Sequence, residues 1–164
     1  MASAIYMEDA PIPELVRALL DLPRPADQTV LLLVAEHSTI DIQALVDALN
    51  QHDIRFAGGV FPGVIFGANR YESGLVADTL PTALAPSIVS GLDSTHFSMN
   101  HLPKFAKNNM STALVLVDGL TKHIALFLDR LFRQYGNKVQ YIGGGAGSLS
   151  FVQKPCLFDN RGIY

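Results

Sequence analysis

Four glycines fall within five residues at Gly143, Gly144, Gly145 and Gly147, and a hydroxyl, Ser148, follows directly. Backbone N–H groups left bare by glycine, beside a serine, could hold a small carboxylate or a phosphate. The phosphate reading fails on spacing. A dinucleotide fingerprint needs G-x-G-x-x-G opening a helix, but counted from Gly143 the last position is Ser148, and from Gly145 it is Ser150. Residues 149–158 read as strand, so no helix N-terminus follows to favour the anion. The run is expected to be a hinge between two strands, with a small carboxylate as the group it would take.

A second run, Gly58, Gly59, Phe61 and Gly63, has the same character. The two hinges are expected at equivalent strand ends and close together, with Phe61 as an apolar wall. The candidate ligand site is therefore Gly58, Gly59, Phe61, Gly63, Gly143, Gly144, Gly145, Gly147 and Ser148. Packing is the competing role, because glycine also lets strands bulge or cross closely.

Other reactive side chains are scattered. His37 and Ser38 are neighbours, but alternate residues of an extended chain point opposite ways, so they form no catalytic pair directly. Ser38 and Thr121 read as helix caps. Asp93, His96 and His101 sit in an irregular stretch without a helper cysteine, which reads as solvated loop rather than metal site. Cys156 stands alone in KPCLF and reads as a buried thiol; one cysteine excludes an internal disulfide. No nucleophile, base and orienting acid cluster, so an enzyme with Asp118 or His123 as base, acting on a small carbonyl or amide compound, is the weaker reading. A purely protein-interacting scaffold is a third. No cofactor is expected.

The elements that must position these residues come from hydrophobic periodicity. With 164 residues, 49% apolar and 16% charged, the chain suits a packed domain rather than disorder. A net charge of −3 leaves no basic stripe, so nucleic acid is not an expected partner. The acidic start lacks a basic, then apolar, secretory pattern, and no apolar run spans a bilayer; the cytoplasm is the expected compartment, without membrane insertion. Asn109-Met110-Ser111 matches a glycosylation acceptor, expected to be chance in that setting.

Ile12, Leu15, Val16, Leu19 and Leu20 share a helical face, capped by Asp9 and stopped by Pro23 and Pro25. This N-terminal helix and its linker are assigned to residues 1–29, and an α/β domain to 30–164. Residues 30–35, VLLLVA, read as a strand covered on both faces. Ser38 with Asp41 resembles a capping box for a helix carrying Ile42, Leu45, Val46 and Leu49. Strands follow at 55–60, 64–67, 74–79 and 82–90, then a polar connector at 92–111. Residues 113–117 are a strand. Thr121 opens a helix presenting Ile124, Leu128, Leu131, Phe132 and Tyr135, closed by Gly136. Strands at 138–142 and through Phe151, and a DNRG turn, complete the chain.

The halves repeat. Residues 31–37 match 114–120; Ile42, Leu45, Val46 and Leu49 match Leu128, Leu131, Phe132 and Tyr135; Phe56, Gly58 and Gly59 match Tyr141, Gly143 and Gly144. The fold class expected is α/β, one mixed sheet built from two pseudo-repeated β-α-β-β units at about 30–91 and 112–164, with helices packed on it. Each crossover makes its first two strands parallel. The second unit stops earlier than the first, so the chain is expected to be incomplete at its C-terminus, with an edge strand prone to self-association.

The segments VLLLVAEH, FAGGVFPGVIFGANRYESGLVADTL, ALVLVDGL and VQYIGGGAGSLSFVQKPCLFDNRGIY resemble the N-terminal part of FIST sensory domains, above all in YIGGGAG and FDNRG. The likeness covers residue 28 to the end. It implies an intracellular sensor of small ligands, proposed to be amino acids, in a signal-transduction protein. It also implies a C-terminal FIST domain or an effector domain as partner.

Overall fold

The computed structural model describes residues 4–23, 28–82, 84–104 and 111–164. Part of the linker before residue 28, part of the 92–111 connector and the first two residues of the Asn109 acceptor site lie outside the described residues. In order, the elements are β1 (Ile5–Met7), α1 (Ile12–Leu20), β2 (Thr29–Ala35), α2 (Ile42–Gln51), β3 (Phe56–Phe61), β4 (Val64–Phe66), β5 (Asn69–Tyr71) and β6 (Leu75–Leu80). Then come β7 (Ser111–Asp118), α3 (Ile124–Tyr135), a short 3-10 turn (Gly136–Lys138), β8 (Val139–Ala146), β9 (Leu157–Asp159) and β10 (Gly162–Ile163). The chain divides into two compact units, Met1–Pro86 with Ala146–Tyr164, and Ser87–Gly145.

The first unit is a mixed sheet in the order β1-β6-β2-β3-β9-β10. The α2 crossover makes β2 and β3 parallel, Val30 opposite Phe56 through Ala35 opposite Phe61, as expected of a strand–helix–strand unit. β6 runs antiparallel to β2, and β9 antiparallel to β3. β2 is apolar from Val30 to Ala35 because it is central; Val30 and Leu32 are fully buried. Leu15, Val16 and Leu19 of α1 share one core with Leu45, Val46 and Leu49 of α2 and with Phe56 and Phe158. Each fully buried leucine contributes about 1.5–3 kcal/mol. The N-terminal helix is thus part of this core.

Two capping expectations are corrected. α1 begins at Pro11 with no side-chain cap, and Asp9 is engaged elsewhere. α2 is capped by Asp41, whose side chain accepts the Ala44 amide at 3.0 Å, so Ser38 is released from that role.

The strands also depart from expectation. β4 and β5 pair as a hairpin of their own, and β7 and β8 form a separate two-stranded sheet, so the single continuous sheet is corrected to three among the described residues. No strand is present among the described residues of 82–90, where Pro86 removes an amide donor. The leading glycines of each run are not hinges: β3 continues through Gly58 and Gly59, and β8 through Gly143, Gly144 and Gly145, so the chain leaves these strands only near Gly63 and Gly147. Close approach explains the first pair. A Cβ on Gly58 would overlap the Leu32 carbonyl and the Phe158 ring. Past Ala146 the chain leaves the strand state until β9, so no strand runs to Phe151.

In the second unit α3 buries Phe127 and Leu131 against Phe97 and Met99. Arg130 lies 4.5 Å over the Phe97 ring and donates to the Thr95 and Phe97 carbonyls. Phe97 and Met99 come from the stretch read as a polar connector. α3 starts at His123 without a side-chain cap, which corrects Thr121, and ends at Gly136 as expected.

Candidate functional site

α3 carries apolar side chains over more than one face. Phe127 and Leu131 go into the core, whereas Leu128 and Phe132 stay 46% and 53% exposed. A stripe this wide serves two neighbours. The second is a groove of about 550 Å³ lined by Ile124, Leu128, Leu131 and Phe132 of α3, Val115 and Val117 of β7, Gly119, and Tyr141 to Gly145 of β8. Its volume falls in the range of small-molecule pockets. The Phe132 and Tyr141 rings, both in its lining, stand 6.2 Å apart. Tyr141 donates its hydroxyl to the Gly136 carbonyl at 3.2 Å, and burial raises the phenol above its ordinary value.

Three of the predicted residues, Gly143, Gly144 and Gly145, line this groove together. Their surroundings differ. A Cβ on Gly143 would run into the Val115 backbone, and one on Gly145 would sit 3.4 Å from the Gly119 Cα. A Cβ on Gly144 would meet nothing within 4 Å.

The other predicted residues lie in the first unit. Gly58 and Gly59 are buried inside the sheet, beneath Phe158 and beside Leu157 and the Cys156 carbonyl. The Phe61 ring lies 3.1 Å from where a Gly59 Cβ would be, and Gly63 faces Arg70 and the Tyr71 carbonyl. Gly147 does meet the first run: its amide donates to the Val60 carbonyl at 2.7 Å, which removes that N–H as an anion donor. Ser148 donates to a Glu36 carboxylate oxygen, and the Leu149 amide donates to the other at 3.0 Å. These two bonds hold the Glu36 carboxyl below its ordinary value. A carboxylate already occupies the hydroxyl that the sequence offered to a ligand.

Asp9 joins three loops. Ser38 donates to its Oδ1 at 2.6 Å, the Thr39 amide to Oδ2 at 3.1 Å, and the Gly74 amide to Oδ1 at 3.3 Å. Burial pushes the Asp9 carboxyl up, but the Ser38, Thr39 and Gly74 hydrogen bonds outweigh it and leave it lowered. Glu36, His37, Ser38 and Thr39 follow β2 directly, where its carboxyl end meets that of parallel β3. Open α/β sheets bind ligands at such ends. In this chain the polar groups there are turned on one another.

The scattered residues stay apart. Asp118 accepts the Leu120 amide at 2.9 Å, and the His123 amide donates to the Leu92 carbonyl. His101 places Nε2 2.7 Å from the Ile88 carbonyl, while His96 lies beside Ser94 and Thr95. Among the described residues no group of His, Cys, Asp and Glu side chains converges as metal ligands. Cys156 is buried. Sequence reasoning missed Glu36, a single acid without a spacing motif, and read Asp9 only as a helix cap. It also missed that Leu128 and Phe132 face a groove, although the breadth of the α3 stripe carries that signal.

A family model described as the FIST N domain matches residues 28–164. No curated protein and no solved structure matches the chain. Among the described residues no helix is long and apolar enough to cross a membrane.

Proposed function

We propose that this chain, which belongs to the FIST N domain family, is the small-ligand-binding sensory module of a cytoplasmic signal-transduction protein. The ligand is held in the groove between α3 and the β7–β8 sheet. The observation that carries this reading is the lining of that groove, in which Gly143, Gly144 and Gly145 stand with apolar side chains of α3 and β7. Amino acids are the ligand class to test first, as the family resemblance suggests, and a FIST C-terminal domain or an effector domain is the partner that would read the bound state.

The predicted site divides under this reading. Gly143, Gly144 and Gly145 belong to the ligand groove. Gly58 and Gly59 serve packing, and Ser148 with Gly147 secures a loop through Glu36 and Val60. Gly58 against Leu32 and Gly143 against Val115 are equivalent placements, which supports reading the halves as repeats. Among the described lining residues the groove offers no acid–base pair, so nothing there favours the enzyme reading.

A thermal-shift screen of the amino acids against the full chain tests the proposal. A ligand present at a hundredfold its Kd stabilises by about 2.7 kcal/mol, which moves the midpoint by several degrees. Silence across the set at millimolar concentrations, in the chain alone and joined to its signalling partner, overturns it.

A further inference from the structure

We propose that a second pocket of this chain, between the end of α3 and residues 100–104, binds a small oxyanion carrying two negative charges, a phosphate or a dicarboxylate, with Lys104 and Lys138 as its cationic members. It shares no lining residue with the groove described above and stands independently of it.

The pocket has a volume of about 500 Å³, within the range of small-molecule sites. Asn100, Leu102 and Lys104 line it from one segment, and Gln134, Tyr135 and Lys138 from the other. The two segments are fastened together. The Tyr135 hydroxyl donates to the Pro103 carbonyl at 2.7 Å, directly before Lys104. Leu102 and Tyr135 both pack on the core of Phe97, Met99, Phe127 and Leu131. The Leu102 amide also donates to the Met99 carbonyl at 3.0 Å. Lysines distant in the sequence are therefore carried on one framework.

Charge says what the pocket takes. The chain has more acids than bases, 15 against 12, yet no Asp or Glu lines this pocket among the described residues. Arg70, Arg133 and Arg161 each pair with a carboxylate, whereas Lys104 and Lys138 pair with none among the described residues. Two like charges in one hollow repel each other, and an anion between them removes that cost. A lysine just past a helix C-terminus also suits the helix dipole. That accounts for Lys138, but not for Lys104, which arrives from another segment. Lysine offers only donors, and the Asn100 and Gln134 amides add more. Such a set matches a ligand that only accepts, and charge-assisted bonds to it are the strong ones.

Inorganic phosphate and malonate are the probes, titrated calorimetrically into the full chain in mildly alkaline buffer, where both are dianions. Saturable binding of either is expected, weakening as salt is raised. Phosphate binding alone narrows the ligand to phosphates, and malonate binding alone narrows it to dicarboxylates. Lys104→Gln and Lys138→Gln, both exposed, should each weaken binding about tenfold or more while the melting temperature stays put. Lys104→Arg, which keeps the charge, should retain most of it. Lys122→Gln, an exposed lysine outside the pocket, and Leu128→Ala, in the groove, should bind as the parent chain does. Binding of neither probe at millimolar concentration overturns the proposal. So does binding that survives both lysine substitutions, or that Lys122→Gln weakens equally. None of these failures touches the groove, whose own ligand is read through Leu128→Ala.

Discussion

Asn160 completes the backbone of the strand beside it: its side-chain oxygen accepts the Phe56 amide at 3.0 Å. The same side chain donates from Nδ2 to the Ile54 carbonyl at 2.6 Å and to Asn50 Oδ1 at 2.8 Å. On either side of it, the buried Asp159 carboxylate is paired with Arg161. The DNRG turn is therefore a clasp that ties β9 and β10 to the start of β3 and the end of α2.

Replacing Asn160 with alanine leaves a part-buried amide and a carbonyl without that partner. Each lost bond of this kind costs about 1–3 kcal/mol. Urea unfolding of Asn160→Ala should show at least that loss. Asn160→Asp, which keeps an acceptor for Phe56 but not the donors, should fall between the two.

The two glycine runs should respond oppositely to a single methyl group. Gly58→Ala drives a Cβ into the Leu32 carbonyl and the Phe158 ring. Overpacking of this kind costs about 1–3 kcal/mol, and more where backbone is the obstacle. Gly144→Ala should be neutral or stabilising by about 0.5–1 kcal/mol. Paired thermal melts decide the matter, and equal losses would disprove the assignment of different roles.

Neighbouring leucines of α3 should also separate. Leu131 is 6% exposed and Leu128 is 46% exposed. Leu131→Ala should cost about 2–5 kcal/mol, the usual range for a buried leucine. Leu128→Ala should leave denaturant stability within about 0.5 kcal/mol, as surface changes do. A ligand of the groove should nonetheless bind Leu128→Ala more weakly, which calorimetry would read.

Stability should fall in acid through two carboxylates. Asp9 and Glu36 are both lowered in the folded state, Asp9 against burial by the Ser38, Thr39 and Gly74 bonds, Glu36 by Ser148 and Leu149. A lowered carboxyl binds fewer protons folded than unfolded, so its contribution is complete above the unfolded pKa. It disappears as pH drops through the folded one. The window therefore starts at the ordinary carboxylate values, 3.8 for Asp9 and 4.5 for Glu36, and extends downward. Asp9→Asn and Glu36→Gln should each flatten the acid limb of a stability–pH profile.

Much of the frame was legible in the chain itself. Periodicity located α1, α2 and α3, and the unbroken run around Leu32 marked a strand covered on both faces. The crossover rule made β2 and β3 parallel. These features depend on neighbours a few residues away, and local spacing records them. Long-range pairing decided the rest. The glycine runs resembled hinges because glycine permits turning as readily as close approach. Only the Leu32 carbonyl and Phe158 ring against Gly58, and the Val115 backbone against Gly143, show which freedom is used. Asp9 and Ser38 carried cap signatures, yet a carboxylate takes the nearest donors in space, and folding brings Ser38, Thr39 and Gly74 to Asp9. Leu128 and Leu131 were equal members of one stripe in the sequence; burial set them apart, because it depends on what packs against a helix and not on the helix alone.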